Sequence, residues 1–232
     1  LNQPPIAHPT QPTPHTLNQI ICCQFYLCQD RFDNSKKDNG FQIIALAKNK
    51  KGYNNLAKLS SKAYLEGFYY VPRIDRKVLL EYKDDLIILS GGINGEISNL
   101  LLNVGDKQAI EALKWWKEHF KDDFYLELLR HGLEEEDKAN EQLLKWAEEF
   151  DIKYFAANNT FYLEKEDAKA HDVLLCVKEG EKVETPIGRG RGFRYGFPND
   201  EFYFKSSEEM KKLFWDLPEA IETTNEIIEK VL

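Results

Sequence analysis

The sequence has few cysteines, and no pair of them has the spacing of a metal-binding knuckle. The four are Cys22, Cys23, Cys28 and Cys176, and no two form a Cys-x-x-Cys pair. Zinc sites built from cysteine need such paired spacing, so these residues do not predict one. Buried or half-buried thiols in a reducing cytoplasm are the simpler interpretation.

Long apolar runs and an excess of positive charge are also missing. No run approaches the ~20 apolar residues that a membrane-spanning helix needs. The N-terminal residues lack the basic and apolar regions of a signal peptide, so we expect a cytoplasmic protein with no membrane partner. The net charge of −8 argues against a whole domain that binds nucleic acid electrostatically, and leaves only a local basic patch for that role.

Two parts of the chain differ in composition. Residues 1–17 are rich in proline and poor in apolar anchors, so we expect an extended tail. Residues 18–232 are long enough to form one large domain with a buried core.

Apolar, strand-like runs alternate with helical patterns along this domain. The predicted strands are 19–27, 41–49, the run in DDLIILSGG, 123–130 and 152–157. The predicted helices are 52–67, 76–82 with Asp75 as its cap, 94–103, 106–120, 134–150, 166–177, one opening at Ser206 or Ser207 and one at Pro218. YYVPRID, between the first two helices, is expected to be an extended loop.

This alternation predicts parallel strands covered by helices. No Gly-x-Gly-x-x-Gly opens a helix, so a dinucleotide-binding fold has no support in the sequence. A TIM-like α/β barrel is the better architecture, although about five core strands are fewer than the eight of a complete barrel. We therefore expect a barrel that is short or incomplete.

Polar residues near the ends of the predicted strands are candidates for a functional site, because α/β barrels carry their chemistry there. Gln24 belongs to the first strand, His131 follows the fourth and Asn159 follows the fifth. His171 and Asp172 lie on the next helix. A hydrolytic metal site needs several converging His, Asp or Glu side chains. Amides are weaker ligands for divalent cations than carboxylates are. The pattern therefore indicates a cleft with the shape of a metal site but without the side chains needed to bind the metal.

Four long segments carry a resemblance to a known family. They are ALAKNKKGYNNLAKLSSKAYLEGFYYVPRID, FYLELLRHGLEEE, NNTFYLEKEDAKAHDVLLCV and FYFKSSEEMKKLFWDLPEAIETT. In order and spacing they resemble the PHP (polymerase and histidinol phosphatase) domain of bacterial replicative DNA polymerase III alpha subunits, over nearly the whole chain from Asn18. The resemblance implies a distorted TIM-like (β/α)7 barrel with a cleft for up to three metals. The family's opening His-x-His motif has no counterpart, so we expect the barrel to be N-terminally incomplete.

The resemblance also shows where metal ligands of the family have been replaced. The family's glutamate falls on Gln24, its aspartate on Asn159 and a histidine on Phe161, whereas His131 is retained. His131 is thus the one remaining candidate for a metal ligand at a strand end. Relatives that keep the full set are expected to use zinc or manganese, and the parent polymerase magnesium. With three ligands lost, we expect no cofactor in this chain.

Three functions follow from these observations. The resemblance favours a structural and docking module of a DNA-directed DNA polymerase, which would contact the remaining domains of the alpha subunit, the proofreading exonuclease subunit and, through the parent polymerase, DNA. The alternative is a stand-alone metal-dependent phosphoesterase, which predicts that His131, His171 and Asp172 bind metal. An interaction module outside replication is the third.

Three further features allow more than one interpretation. In GRGRGFRYGF, residues 188–197, Arg189, Arg191 and Arg194 would grip a phosphate backbone while the rings stack on bases, or the segment is a surface loop that docks on a neighbouring domain. His171 and Asp172 are expected to orient each other and to tie their helix to the loop above. The acidic run 134–137 is expected to be a solvated first helical turn.

Overall fold

A mixed sheet of seven strands forms the centre of the computed structural model, which describes residues 19–188 and 190–231. The strands are β1 (Cys22–Cys28), β2 (Phe41–Ala47), β3 (Phe68–Tyr69), β4 (Val71–Asp75), β5 (Leu86–Leu89), β6 (Phe124–Leu129) and β7 (Tyr154–Ala157). Their order is β3-β4-β1-β2-β5-β6-β7, with β3 and β7 at the edges. This α/β architecture is compatible with a distorted barrel. The tail predicted at 1–17 lies outside the described residues.

Apart from the two-residue strand β3, which is antiparallel to β4, all strands of this sheet point the same way except β2. It pairs antiparallel with both β1 and β5, so the prediction of an all-parallel sheet is wrong here. Only the loop 29–40 joins β1 to β2, and a parallel connection normally requires a helical crossover. Gly40 makes this return possible. Its φ is +71°, and a Cβ there would lie 2.5 Å from the carbonyl of Leu27.

Residues 71–75, predicted as a loop, form strand β4. The strand pairs parallel with β1, placing Arg73 opposite Tyr26 and Asp75 opposite Cys28. Pro72 argued against a strand, because proline cannot donate to the ladder. The three residues after it are nevertheless buried, since they continue the sheet beyond β1.

Eight α-helices pack around the sheet in the described part of the chain. They are α1 (Lys50–Leu65), α2 (Arg76–Glu81), α3 (Glu96–Asn103), α4 (Asp106–Phe120), α5 (Glu134–Glu149), α6 (Ala168–Glu179), α7 (Ser207–Leu213) and α8 (Pro218–Val231). Asp75 caps α2 by accepting from the Val78 N–H at 2.9 Å, and Ser206 forms a capping box with Glu209, both as predicted. None of these helices has the length and apolar character that crossing a membrane would require.

The middle of the sheet, at β5 and β6, is buried on both faces. Leu86 and Ile88 of β5 pack into the larger core with α1–α5, whereas Ile87 and Leu89 face a smaller cluster that includes Ile227 of α8. Burial on both faces explains why β5 and β6 appear in the sequence as continuous apolar runs. The candidate site lies at the ends of β6 and β7, beside these closely packed strands.

The four cysteines carry free thiols. Cys28 and Cys176 are buried and Cys23 is half-buried, as expected, but the expectation is wrong for Cys22, which is exposed. Cys22 is the first residue of β1, at the exposed beginning of that strand.

Candidate functional site

The candidate site lies at the carboxyl ends of β6 and β7. The two strands pair in parallel with Leu129 opposite Ala157, their last residues. His131 and Asn159 each follow two positions later, so the register places them side by side. The Asn159 N–H donates to Nε2 of His131 at 3.1 Å. The structure therefore brings together two of the strand-end residues that the sequence analysis singled out.

Both nitrogens of the His131 ring are used by the protein itself. The side chain is 0 % exposed. Because Nε2 accepts a hydrogen bond from Asn159, the ring proton is on Nδ1, which donates to Glu136 Oε1 at 2.7 Å. The other oxygen of Glu136 accepts the His131 backbone N–H at 2.6 Å. No lone pair of the ring remains for a metal ion in this arrangement.

Glu136 corrects the prediction for the acidic run that begins α5. Glu134, Glu135 and Asp137 are exposed, as expected for a solvated first turn, but Glu136 is buried. The first turn of a helix orients successive side chains about 100° apart, so one of the four is directed back toward the strand end. That residue orients His131.

An aromatic column fills the space above the strand ends. His131 stacks on Phe202 with ring centres 4.5 Å apart, Phe202 on Phe197 at 4.5 Å, and Phe197 on His171 at 5.1 Å. Phe161 lies against the column, 4.7 Å from Phe197. At the position where the resemblance implies a histidine ligand, Phe161 therefore places a phenyl ring against this aromatic stack.

Asp172 ties α6 to the glycine-rich loop, but through Arg194 rather than through His171. The Arg194 guanidinium donates to both carboxylate oxygens of Asp172, at 2.6 and 2.8 Å. It also donates to the carbonyl of Thr185 at 2.8 Å. Hydrogen bonding to Arg194 lowers the pKa of Asp172. This buried contact holds the loop against the helix.

The arginines of the basic segment 188–197 therefore have different environments. Arg194 is buried in the contact with Asp172, whereas Arg191 is exposed. Arg189 lies outside the described residues. A contact with a phosphate backbone, which stays a prediction, would in the described part of this loop depend on Arg191.

Gln24 is not brought to this site. Across the sheet it pairs with Ile44, which pairs with Leu89, which pairs with Tyr125. Gln24 therefore stands level with Tyr125, six residues before His131, and three strand spacings away, about 14 Å. Of the six residues predicted for the cleft, the other five gather at the ends of β6 and β7.

A second buried carboxylate lies just below the cleft. Glu127 of β6 accepts hydrogen bonds from the backbone N–H groups of Gly91 and Gly92, which follow β5. Burial raises its pKa to about 7, partly offset by those hydrogen bonds. In the sequence, Glu127 is a single acidic residue within the apolar run FYLELL, which marks it as unusual without indicating its partner.

Sequence reasoning missed several residues that shape the cleft. Glu136 and Asn199 hold His131, the latter by donating Nδ2–H to its carbonyl at 2.6 Å. Phe197 and Phe202 form the column. Only Glu136 had a local signal, a carboxylate one helical turn after a strand-end histidine. The others come from a distant loop, and only tertiary contact identifies them.

The residues present do not fit a cluster of two or three metal ions. Within 19–188 and 190–231, no group of three or more His, Cys, Asp or Glu side chains could hold a metal ion. At the strand ends, the family resemblance implies a carboxylate and an imidazole ligand at the positions of Asn159 and Phe161, which an amide and a phenyl ring cannot replace, and both nitrogens of His131 are occupied.

Comparison with known proteins identifies the family. The PHP domain matches residues 10–131, more than half of the chain. DNA polymerase III subunit alpha of Borreliella burgdorferi is 42% identical over 92% of this chain, that of Campylobacter jejuni 39% over 92%, and that of Helicobacter pylori 41% over 92%. The chain belongs to the PHP domain family. It spans 18% of the length of each of these relatives.

Proposed function

We propose that this chain is the PHP domain of a replicative DNA polymerase III alpha subunit and that it works as a structural and docking module. The similarity to alpha subunits over 92% of the chain supports the first part. The observation that carries the second is the hydrogen bonding of His131, whose two ring nitrogens are held by Glu136 and Asn159. Because protein groups already occupy both ring nitrogens of this candidate ligand, the observation supports a structural role for His131 rather than metal-dependent hydrolysis.

The partners proposed are the remaining domains of the alpha subunit and, more specifically, the proofreading exonuclease subunit. The parent polymerase would add deoxynucleotides to a primer, and DNA would reach this domain only through it. The exposed apolar side chains of α6, Val173, Leu174 and Val177, support a docking role, because monomeric proteins rarely leave such a face uncovered.

Metal analysis combined with a phosphatase assay tests the proposal. The purified chain is incubated with zinc or manganese, desalted and analysed for bound metal, and its hydrolysis of a phosphomonoester is measured. We expect well under one metal ion per chain and no turnover above buffer. Stoichiometric metal with robust turnover would instead support the stand-alone phosphoesterase.

A matched variant makes a negative result informative. Asn159→Asp with Phe161→His restores two ligand types beside His131 and His171, without altering the strands. We expect this variant to retain more metal than the parent chain. Equal retention in both would contradict the role assigned to these two positions.

A further inference from the structure

A cavity of about 490 Å³ opens beside the aromatic column. Its volume is in the range of pockets that hold small ligands or side chains. Four aromatic residues, Phe161, Tyr195, Phe197 and Phe202, contribute to its lining. The cavity therefore has an aromatic wall.

The aromatic lining is accessible to a ligand. Phe161 is 53% exposed and Tyr195 is 56% exposed. Both contact Phe197, with ring centres at 4.7 and 6.1 Å, so the three rings form a continuous surface. Large exposed rings of this kind are costly in water unless a partner covers them.

The charge of the cavity lining favours a positively charged ligand. Glu134, Glu135 and Glu136 line the cavity, and among the described residues no lysine, arginine or histidine does so. Glu136 is engaged with His131 and Glu134 with Lys138, whereas Glu135 makes no ion pair within the described ranges. Carboxylates beside aromatic faces repel phosphate and attract an organic cation.

We infer that this cavity takes an arginine side chain presented by a protein partner. A guanidinium is planar, so it stacks on the ring faces of Phe161 and Tyr195 while donating in pairs to a carboxylate such as Glu135. Arginine is also enriched at the centres of protein interfaces. The inference rests on the proposed docking function and names the chemistry of the docked partner.

The first experiment uses a small probe and its neutral analogue. N-acetyl-arginine methylamide is titrated into the isotope-labelled chain while the methyl resonances of Ile93 and Ile187, which line the cavity, are followed by NMR. We expect these methyls to shift and saturate, and the citrulline analogue, which has the same shape without charge, to bind at least about fivefold more weakly. Unperturbed methyls would overturn the inference.

Variants locate the probe in the cavity. Glu135→Gln and Phe161→Leu should each weaken binding about fivefold or more, whereas Glu111→Gln, an exposed position on α4 outside the lining, should not. Spectra of the free variants check that each remains folded. Unchanged binding in Glu135→Gln, or larger shifts of these methyls with inorganic phosphate or a single-stranded oligonucleotide, would contradict an arginine site.

The two proposals fail separately. A chain that binds no metal and no arginine probe retains the docking function and loses only this inference. A chain that binds metal in stoichiometric amounts loses the proposed function itself, whatever the probe does.

Discussion

The two ends of the sheet bury polar side chains in different ways. At the β1–β4 end, an arginine cluster of Arg31, Arg73 and Asp75 joins two guanidinium groups and a carboxylate by hydrogen bonds. At the β6–β7 end, a histidine cluster of His131 and Glu136 is combined with stacked rings. Both clusters lie at the carboxyl ends of their strands, because β1, β4, β6 and β7 run parallel.

In the arginine cluster, hydrogen-bond acceptors of the protein surround both guanidinium groups. Arg31 donates to both oxygens of Asp75, at 3.0 and 2.8 Å, and to Glu66. Arg73 is 0% exposed and donates to the carbonyls of Gly67, Arg31, Asp33 and Asp38 and to the side chain of Asn34. A buried guanidinium is tolerated only with such a shell, so this end organises the loop 29–40.

In the histidine cluster, the polar atoms of the His131 ring also all have partners, but fewer charged side chains take part. One carboxylate, one backbone N–H and one stacked ring satisfy the imidazole of His131. The comparison shows that the polar side chains at both ends are engaged within the protein itself, by ion pairs at one end and by hydrogen bonds and ring stacking at the other.

The largest expected effect belongs to Arg73. Arg73→Met should lower the free energy of unfolding by about 3–5 kcal/mol, because several loop carbonyls and the Asn34 side chain lose their donor at once. Denaturant unfolding measures this change. Lys77→Met, at an exposed position near the same end, should change stability by less than about 0.5 kcal/mol. Equal effects would mean that the arginine shell is not important for stability.

Glu127, below the histidine cluster, should give a pH dependence. Its pKa is raised to about 7 in the folded protein, so its contribution to stability is fully present below its unfolded pKa, near 4.5, and is lost as pH rises through 7. Glu127→Gln does not titrate. Its stability relative to the parent should therefore increase by about 3 kcal/mol between these pH values.

Unfolding curves of both proteins across this pH range test the sign. Carboxylates whose pKa is lowered, such as Asp172 and Glu209, are common to both proteins and cancel in the difference. A constant difference across the range would show that Glu127 titrates normally.

The smallest of the three effects concerns Glu136. Glu136→Gln should cost about 2 kcal/mol, because an amide cannot accept from both the backbone N–H and Nδ1–H of His131 as a carboxylate does. Glu135→Gln, one position earlier and exposed, is the matched control for stability. Nitrogen chemical shifts of the His131 ring should show the proton on Nδ1 in the parent chain. A proton on Nε2 would contradict the proposed hydrogen bonding.

Much of the local structure could be predicted from the sequence. The helix starts at Asp75, Ser206 and Pro218 follow from capping chemistry and from the fixed φ of proline, both of which act within a few residues. The strands β5 and β6 follow from apolar runs. Strand β4 did not follow, because its pairing with β1 depends on residues far away along the chain.

The candidate site could be predicted only in part. Asn159 was identified from its residue type at a strand end and Phe161 from the family resemblance, but the sequence could not show that Gln24 lies level with Tyr125, three strands away from β6. It also did not show that the Asn159 N–H meets His131, 28 residues away. Such contacts depend on strand register, which the whole sheet sets.

The sequence by itself determined most of the alternation of strands and helices, the helix caps at Asp75 and Ser206, and the presence of amide and phenyl side chains after β7. The tertiary structure decided that β2 runs antiparallel, that Glu136 and Asn159 occupy the His131 ring, and that Phe197 and Phe202 stack above it. The first set depends on near-neighbour chemistry. The second depends on packing between segments that only the folded chain brings together.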